Sequence, residues 1–175
     1  VKASILARLN SLSLGKSGIH ISVIELMRDL INQDIIPLIF AHGGVGASGD
    51  LVQLAHLALV LIGEGEVFYK GERRETKAVF HELGLSPIEI KLREGLALIN
   101  GTSVMTGIGI VNTYKAQKLT DWSIKASCFI NELVQAYDDH FSIELNLAKL
   151  HEGQRDIAQA MRHHLADSQL ICLLY

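Results

Sequence analysis

The sequence predicts an all-α protein, a helical bundle with one minor β-hairpin. Apolar residues recur at helical spacing along most of the chain, in about six segments. The later part of the chain lacks the alternating strands that a doubly wound parallel sheet requires. One short stretch, Glu66 to Arg74, places apolar and charged residues on either side of Lys70-Gly71, which is typical of a hairpin turn. We expect residues 1–175 to lack an internal domain boundary.

The first half of the chain predicts two helices. The first follows Gly18 and carries its apolar residues on one side: Ile21, Ile24, Met27, Leu30 and Ile31. The region around Pro37 is expected to be extended or irregular. Asp50 is a good N-cap, and Gln53 stands three residues later, as in a capping box. The helix that follows runs to about Ile62 and is apolar almost all round, which predicts a buried helix.

The second half predicts further helices. Thr76 is placed to cap a short helix that ends at Gly84. Another segment starts at Ser86-Pro87 and continues through Ile90. The longest pattern runs from Thr102 to about Tyr137, and a final helix spans Arg155 to Leu165.

Composition excludes several function classes. Hydrophobic residues make up 49% of the chain and the mean hydropathy is +0.26. No uninterrupted apolar run reaches the roughly 18 residues of a membrane span, so we expect large subunit contacts rather than a membrane. The net charge is −3 and the basic residues are scattered, which argues against nucleic acid as a partner.

The cysteines and histidines do not indicate a metal or a disulfide framework. Cys128 and Cys172 are far apart, and Cys128 lies in an apolar helical pattern that predicts a buried thiol. This cysteine usage makes a reducing, cytoplasmic location the expectation. The eight histidines lack metal-ligand spacing, so we expect no metal, and His56 is interpreted as a satisfied core residue.

A glycine-rich turn before the second helix has three interpretations. Its sequence is Gly43-Gly44-Val45-Gly46-Ala47-Ser48-Gly49-Asp50. It is compatible with a structural turn or helix cap, and it also matches the phosphate-binding pattern G-x-G-x-x-G. However, Pro37 sits badly in the central strand that a dinucleotide site would need. The third interpretation is an electrophile made from the backbone itself.

The tripeptide Ala47-Ser48-Gly49 has the residue types that such an electrophile needs. A tight bend brings the amide nitrogen of Gly49 onto the carbonyl carbon of Ala47, and Gly49 has no side chain to block this approach. Loss of water closes an imidazolone ring. Loss of the Ser48 hydroxyl then leaves an exocyclic methylene that accepts a nucleophile. Because Asp50 opens a helix, backbone N–H groups there can stabilise negative charge on the ring.

The wider sequence resembles the histidine, phenylalanine and tyrosine ammonia-lyases. The resemblance rests on blocks in the same order: Gly46-Ala47-Ser48-Gly49-Asp50-Leu51, Leu54-Ala55-His56, Leu61-Ile62-Gly63-Glu64-Gly65-Glu66, Arg93-Glu94-Gly95-Leu96-Ala97-Leu98-Ile99-Asn100-Gly101-Thr102 and His151-Glu152-Gly153-Gln154. Further matching positions are Arg8, Asn10, Gly15, Ser17 and Gly18. The resembling enzymes are about three times this long, beyond one typical domain, so we expect a central fragment of such an enzyme.

The resemblance implies a cofactor, an activity and an assembly. It implies 4-methylideneimidazol-5-one (MIO) formed from Ala47, Ser48 and Gly49, with no nucleotide. It also implies elimination of ammonia from an aromatic or heteroaromatic L-amino acid, in a homotetramer whose sites are shared between subunits. By itself Asn100 is typical of a turn residue, whereas the resemblance implies that it contacts the cofactor and the substrate's amino-acid head. Leu51 matches a position that lines the aromatic pocket, and Leu96 is interpreted as packing.

The substrate and the exact reaction stay open. Val52-Gln53 replaces the Ala-Pro common in the family. Ser103 and His151-Glu152-Gly153-Gln154 favour phenylalanine or tyrosine enzymes, whereas Leu54-Ala55-His56 favours histidine enzymes. A 2,3-aminomutase and a non-catalytic helical assembly domain that keeps the motif are the alternatives. The family's catalytic base and carboxylate-binding arginine are expected outside this chain.

Overall fold

The computed structural model describes residues 1–45 and 49–173. The chain forms two compact units, residues 1–112 and 113–175. Each unit is described by itself below. The long helix α6, Ser103–Leu133, contains residues of both units. Whether residues 1–175 lack an internal domain boundary stays a prediction.

The first unit is built from helices around one apolar core. They are α1 Lys2–Ser13, α2 Ile21–Asn32, α3 Leu51–Leu61, α4 Thr76–Leu83, α5 Glu94–Ile99 and the start of α6. In α2 the buried residues are Val23, Leu26, Met27 and Leu30, which share one helical face. The predicted helix is therefore confirmed, although Ile21, which the pattern places on the same side as Met27 and Leu30, is exposed.

A small antiparallel sheet accompanies these helices. The predicted hairpin is confirmed: β2, Glu66–Tyr69, pairs with β3, Glu72–Glu75. Lys70 and Gly71 both have positive φ, of 54° and 84°, as a tight two-residue hairpin turn requires. A third strand, β1 at Ile36–Pro37, pairs with β2 on the other side and was not predicted as a strand. Pro37 is tolerated there because β1 is an edge strand.

The predictions for α3, α4 and the following segment are met in part. Four apolar residues of α3 are buried, but Val52 and Leu59 are each 38% exposed, so in this chain α3 is not buried all round. The α4 helix has its predicted bounds, although its N-cap position is Glu75. The Thr76 hydroxyl instead donates to the Gly65 carbonyl at 2.9 Å. Residues 86–90 form no helix, and the next helix, α5, begins at Glu94.

The long helix α6 confirms the longest predicted helix and ends four residues earlier than expected. It contacts α1 closely, because a Cβ on Gly107 would overlap the backbone and hydroxyl of Ser4. Many large apolar side chains of α6 are exposed: Met105, Ile108, Ile110, Val111, Tyr114, Leu119, Trp122, Phe129, Ile130 and Leu133.

The region from Glu94 to Leu133 also contains an 18-residue window with a mean hydropathy of 1.2, and 22% of that window is buried. By length and composition alone it is therefore long and apolar enough to cross a membrane, contrary to the expectation from uninterrupted apolar runs. Core helices pass the same test, so this is weak evidence for a span.

The second unit has a smaller core around the end of α6. A 3₁₀ helix at Asp138–Phe141 leads to α7, Ile143–Leu147, and α8, Glu152–Leu165. The final helix therefore starts three residues before its predicted start. Cys128 is buried, as predicted, together with Phe141, Ala158 and Leu165. Burial raises the pKa of the Cys128 thiol above its usual value.

Candidate functional site

Gly49 lies where a side chain would not fit. Its φ is +84°, a left-handed conformation that L-residues rarely adopt. A Cβ built on it would lie 2.8 Å from the carbonyl oxygen of Gly101. The position thus requires glycine, which is also the residue type that ring closure in Ala47-Ser48-Gly49 needs. Ala47 and Ser48 lie outside the described residues, so their predicted roles stay predictions.

Asp50 joins the glycine-rich turn to the start of α6. Its amide donates to the Gly101 carbonyl at 3.1 Å. Its carboxylate oxygen Oδ2 accepts from the amide of Met105 at 2.9 Å. Met105 is the third residue of α6, where amides have no partner within the helix. Asp50 therefore caps α6 from a position about fifty residues earlier in the chain.

The predicted capping box at the start of α3 is wrong. Asp50 occupies the N-cap position of α3, but its side chain makes no capping hydrogen bond there. Its backbone, at φ −96° and ψ 42°, is not in the extended conformation that N-cap residues usually adopt. Gln53 does not complete the box either, because its buried Oε1 has no hydrogen-bond partner among the described residues.

Asn100 is the residue that ends α5. Its amide nitrogen donates to the Leu96 carbonyl at 3.1 Å, and its backbone is extended. Although Asn100 stands beside Ile99 in an apolar stretch, it is exposed in this chain. It lines a cavity of about 500 Å³ together with three basic residues, Arg8, Lys16 and Arg93. The side chain is thus open to a ligand.

Leu51 is predicted to line an aromatic pocket and Leu96 to be a packing residue. Leu51 is the first residue of α3 and is half-buried. It does not line the 410 Å³ cavity that Gly49 and Asp50 border, so its role in the aromatic pocket stays a prediction. Leu96 is 65% exposed and lines the cavity beside Asn100, so the interpretation as packing is wrong.

Sequence reasoning gave Arg8 no role, yet it lies at the centre of this region. Arg8 is buried and its guanidinium donates to the carbonyl of Ala97 in α5. Burial lowers the pKa of Arg8 from its usual value. A signal was present: Arg8 stands on the apolar face of α1, between the buried Ile5 and Leu12. A charged residue in that position needs a polar partner from elsewhere in the fold.

Two further polar residues contact other groups of the protein: Glu94 accepts from backbone amides, and His56 packs against an aromatic ring. Glu94 is buried and accepts from the amides of Lys91 and His20, each at 2.7 Å. These bonds, that from Lys91 first, hold the pKa of Glu94 below its usual value. The buried Nδ1 of His56 has no partner among the described residues, so the interpretation of His56 as a satisfied core residue stays a prediction. Its ring meets the edge of Phe40, with centroids 5.1 Å apart.

Within residues 1–45 and 49–173, no group of three or more His, Cys, Asp or Glu residues could hold a metal ion. The polar groups near Gly49 include the amide and carboxylate of Asp50, the Gly101 carbonyl and Gln53, and those near Asn100 include three basic side chains. The region offers backbone amides, one carboxylate, one open carboxamide and cations. These groups suit an amino acid or another small anion.

Comparison with known proteins extends this description. A model of the aromatic amino acid lyase family matches residues 1–173. A histidine ammonia-lyase from Shouchella clausii is 44% identical over 169 residues, which cover 97% of this chain and 34% of that protein. A solved phenylalanine aminomutase from Pantoea agglomerans matches with a TM-score of 0.91 and 35% identity, over 99% of this chain and 33% of the other.

A solved histidine ammonia-lyase from Trypanosoma cruzi matches with a TM-score of 0.84 and 31% identity, over 92% of this chain and 32% of the other. This chain therefore spans about a third of the length of the relatives it matches. The all-α prediction is confirmed, both by the observed helices and by these structural neighbours. The chain belongs to the aromatic amino acid lyase family.

Proposed function

We propose that the whole protein is an ammonia-lyase that acts on an aromatic or heteroaromatic L-amino acid, with histidine as the first candidate. The carrying observation is the contact between two sequence blocks about fifty residues apart, in which Gly101 faces Gly49 and bonds to Asp50. The identity to a histidine ammonia-lyase supports histidine over phenylalanine and tyrosine.

The proposed cofactor is MIO formed from Ala47, Ser48 and Gly49. It supplies an electrophilic methylidene carbon to the reaction. The described residues fit this group, because the Gly101 carbonyl lies so close to Gly49 that only a residue without a side chain fits there. A cofactor made from the backbone needs its bend held in place, and the bonds of Asp50 to Gly101 and Met105 provide such support.

Asn100 is proposed to hold the substrate's amino-acid head. Its carboxamide is exposed and is followed directly by Gly101, so it lies next to the segment that contacts Gly49. In the overall reaction the α-amino group leaves as ammonia and a β-proton is removed, which gives a trans-2-enoic acid. We assign neither the base nor the carboxylate-binding arginine to this chain. Leu51 is proposed to border the substrate's ring.

The proposal includes a homotetramer with shared sites in the cytoplasm. The exposed apolar residues of α6 support the assembly, because apolar surface on this scale has to be covered by the rest of the protein or by neighbouring subunits. Two free cysteines that are far apart in the sequence support a reducing compartment.

Mass spectrometry and a substrate panel on the complete protein test the proposal. The peptide that contains Ala47-Ser48-Gly49 should lack the mass of two waters. The protein should release a trans-2-enoic acid from histidine, phenylalanine or tyrosine. Ser48→Ala should abolish both the mass loss and most turnover, while Ser13→Ala, at the exposed end of α1, should preserve both. An unmodified mass in the native protein would favour a non-catalytic assembly domain.

A 2,3-aminomutase is the second candidate, and the likeness to a phenylalanine aminomutase favours it. Both reactions would use the same cofactor and the same Asn100. Product analysis separates them, because an aminomutase would return a β-amino acid in place of free ammonia.

A further inference from the structure

The buried cation Arg8 is held against the segment that carries Asn100. Its side chain comes from α1, and the residue is 7% exposed. Among the described residues no ion pair is formed by Arg8, and its Nε has no hydrogen-bond partner. A guanidinium that is taken out of water in this way loses hydration that has to be replaced by other contacts.

The first replacement contact is the Ala97 carbonyl. Ala97 lies in the last turn of α5, where carbonyl groups have no amide partner within the helix. The Arg8 guanidinium donates to this carbonyl, and a cation at the C-terminal end of a helix is also favoured by the helix dipole. Arg8 thereby holds the C-terminal end of α5. Asn100 is the C-cap residue of that same helix end.

The second contact is with Gly101. A Cβ at this position would overlap Nη1 of Arg8, and Cζ of Arg8 would lie 3.1 Å away. The guanidinium therefore packs directly on the backbone of Gly101. On its other side, Gly101 presents its carbonyl to the Asp50 amide at 3.1 Å and faces Gly49. Gly101 is thus enclosed between Arg8 and the start of α3.

We propose that Arg8 is a positioning residue. It holds the end of α5, and with it Asn100, and it keeps the Gly101 carbonyl in contact with Gly49 and the Asp50 amide. Its effect on turnover rests on the proposed function. Its effect on the position of the segment does not, because that follows from the contacts alone. Arg8 acts through Ala97 and Gly101 and needs no contact with substrate.

Two substitutions in the complete protein separate positioning from simple packing. Arg8→Met keeps an unbranched side chain of similar length but cannot donate to the Ala97 carbonyl. Arg8→Lys keeps a charge that can donate to one carbonyl. If Arg8 positions the segment through its hydrogen bond, Arg8→Lys should be closer to wild type than Arg8→Met. If Arg8 only fills space, Arg8→Met should be the better of the two.

Hydrogen–deuterium exchange measures the position without reference to activity. In Arg8→Met, peptides that contain the Asp50 and Met105 amides should exchange at least about tenfold faster, as expected for the loss of a hydrogen bond to a charged group. Peptides of α2 should be unchanged. Arg28→Met is the matched control, because Arg28 is exposed on α2 and, within residues 1–45 and 49–173, its hydrogen-bond and ion-pair partner is its neighbour Asp29. It should leave all of these rates unchanged.

Turnover and cofactor mass complete the test. Arg8→Met should lower kcat at least about tenfold, with Arg8→Lys in between, or should reduce the fraction of chains that lack two waters. Wild-type exchange at Asp50 in Arg8→Met, or a lysine variant no better than the methionine variant, would overturn the proposal. So would faster exchange throughout α2. If the wild-type protein lacks the mass loss and the activity, the proposed function fails, while the exchange comparison still decides the role of Arg8.

Discussion

Replacement of Asp50 by alanine should loosen the start of α6 and leave the start of α3 little changed. The carboxylate makes its capping bond to Met105, at 2.9 Å, and makes none within α3. Loss of a side-chain cap costs about 1 kcal/mol, and a hydrogen bond to a charged group contributes about 1.5–3 kcal/mol. Part of this is recovered when water reaches the exposed end of the helix, so we expect a local loss of about 1–2 kcal/mol.

Hydrogen–deuterium exchange on the complete protein is the assay. A loss of 1–2 kcal/mol corresponds to about 5–30-fold faster exchange in the first turn of α6. Asp50→Asn should show a smaller effect, since it keeps an acceptor oxygen but loses the charge. Asp34→Asn serves as the control: it removes the charge of an exposed ion pair with Lys2, at 2.6 Å, and keeps a residue type that tolerates the left-handed backbone of this position, so it should change little.

The capping-box interpretation makes the opposite prediction for the same variants. It requires Asp50→Ala and Gln53→Ala both to speed exchange in the first turn of α3, with α6 unchanged. That pattern would refute the contact between Asp50 and Met105, and with it the idea that one carboxylate joins the two sequence blocks.

Three further perturbations test other parts of the structure. Gly49→Ala should prevent loss of two waters from the motif peptide, because a left-handed φ and the contact with Gly101 both oppose a Cβ; a variant with the full mass loss would contradict this. Glu94→Gln should lower the free energy of unfolding at neutral pH. Since the folded pKa of Glu94 is depressed, this contribution is fully present above its unfolded pKa and disappears as pH falls through the folded value, so the denaturation midpoints of variant and wild type should differ at neutral pH and converge in acid, below that folded value. Leu119→Glu should shift the complete protein towards smaller species in light scattering, whereas Gln117→Glu should not; a monomeric wild type would refute the proposed assembly.

Local patterns in the sequence predicted most of the elements. Helical spacing placed α2, and the Lys70-Gly71 pair placed the hairpin, because both signals depend on residues a few positions apart. The same reasoning missed β1, since a two-residue strand at Ile36–Pro37 has no period of its own and forms only by pairing with β2.

The orientation of polar side chains was harder to predict. Asp50 has the local signature of a cap for α3, but the partner it uses lies in α6. Asn100 stands among apolar residues and yet is exposed, because burial depends on what other segments cover it. Local sequence lists the available donors and acceptors, whereas tertiary contacts decide which of them meet.

The two signature blocks are best understood as one structural unit joined at Gly101. Its carbonyl accepts the amide of Asp50, its missing side chain makes room for Arg8, and the same carbonyl prevents a side chain at Gly49. Neither block can hold this geometry by itself, because the contacts between Gly49, Asp50 and Gly101 need both blocks and Arg8 comes from a third segment, α1. Substitutions at Gly101 and Gly49 should therefore be coupled rather than additive, since both act on the same narrow space. This dependence explains why two glycines, Gly49 and Gly101, and two charged side chains, Arg8 and Asp50, lie together at this point of the first unit.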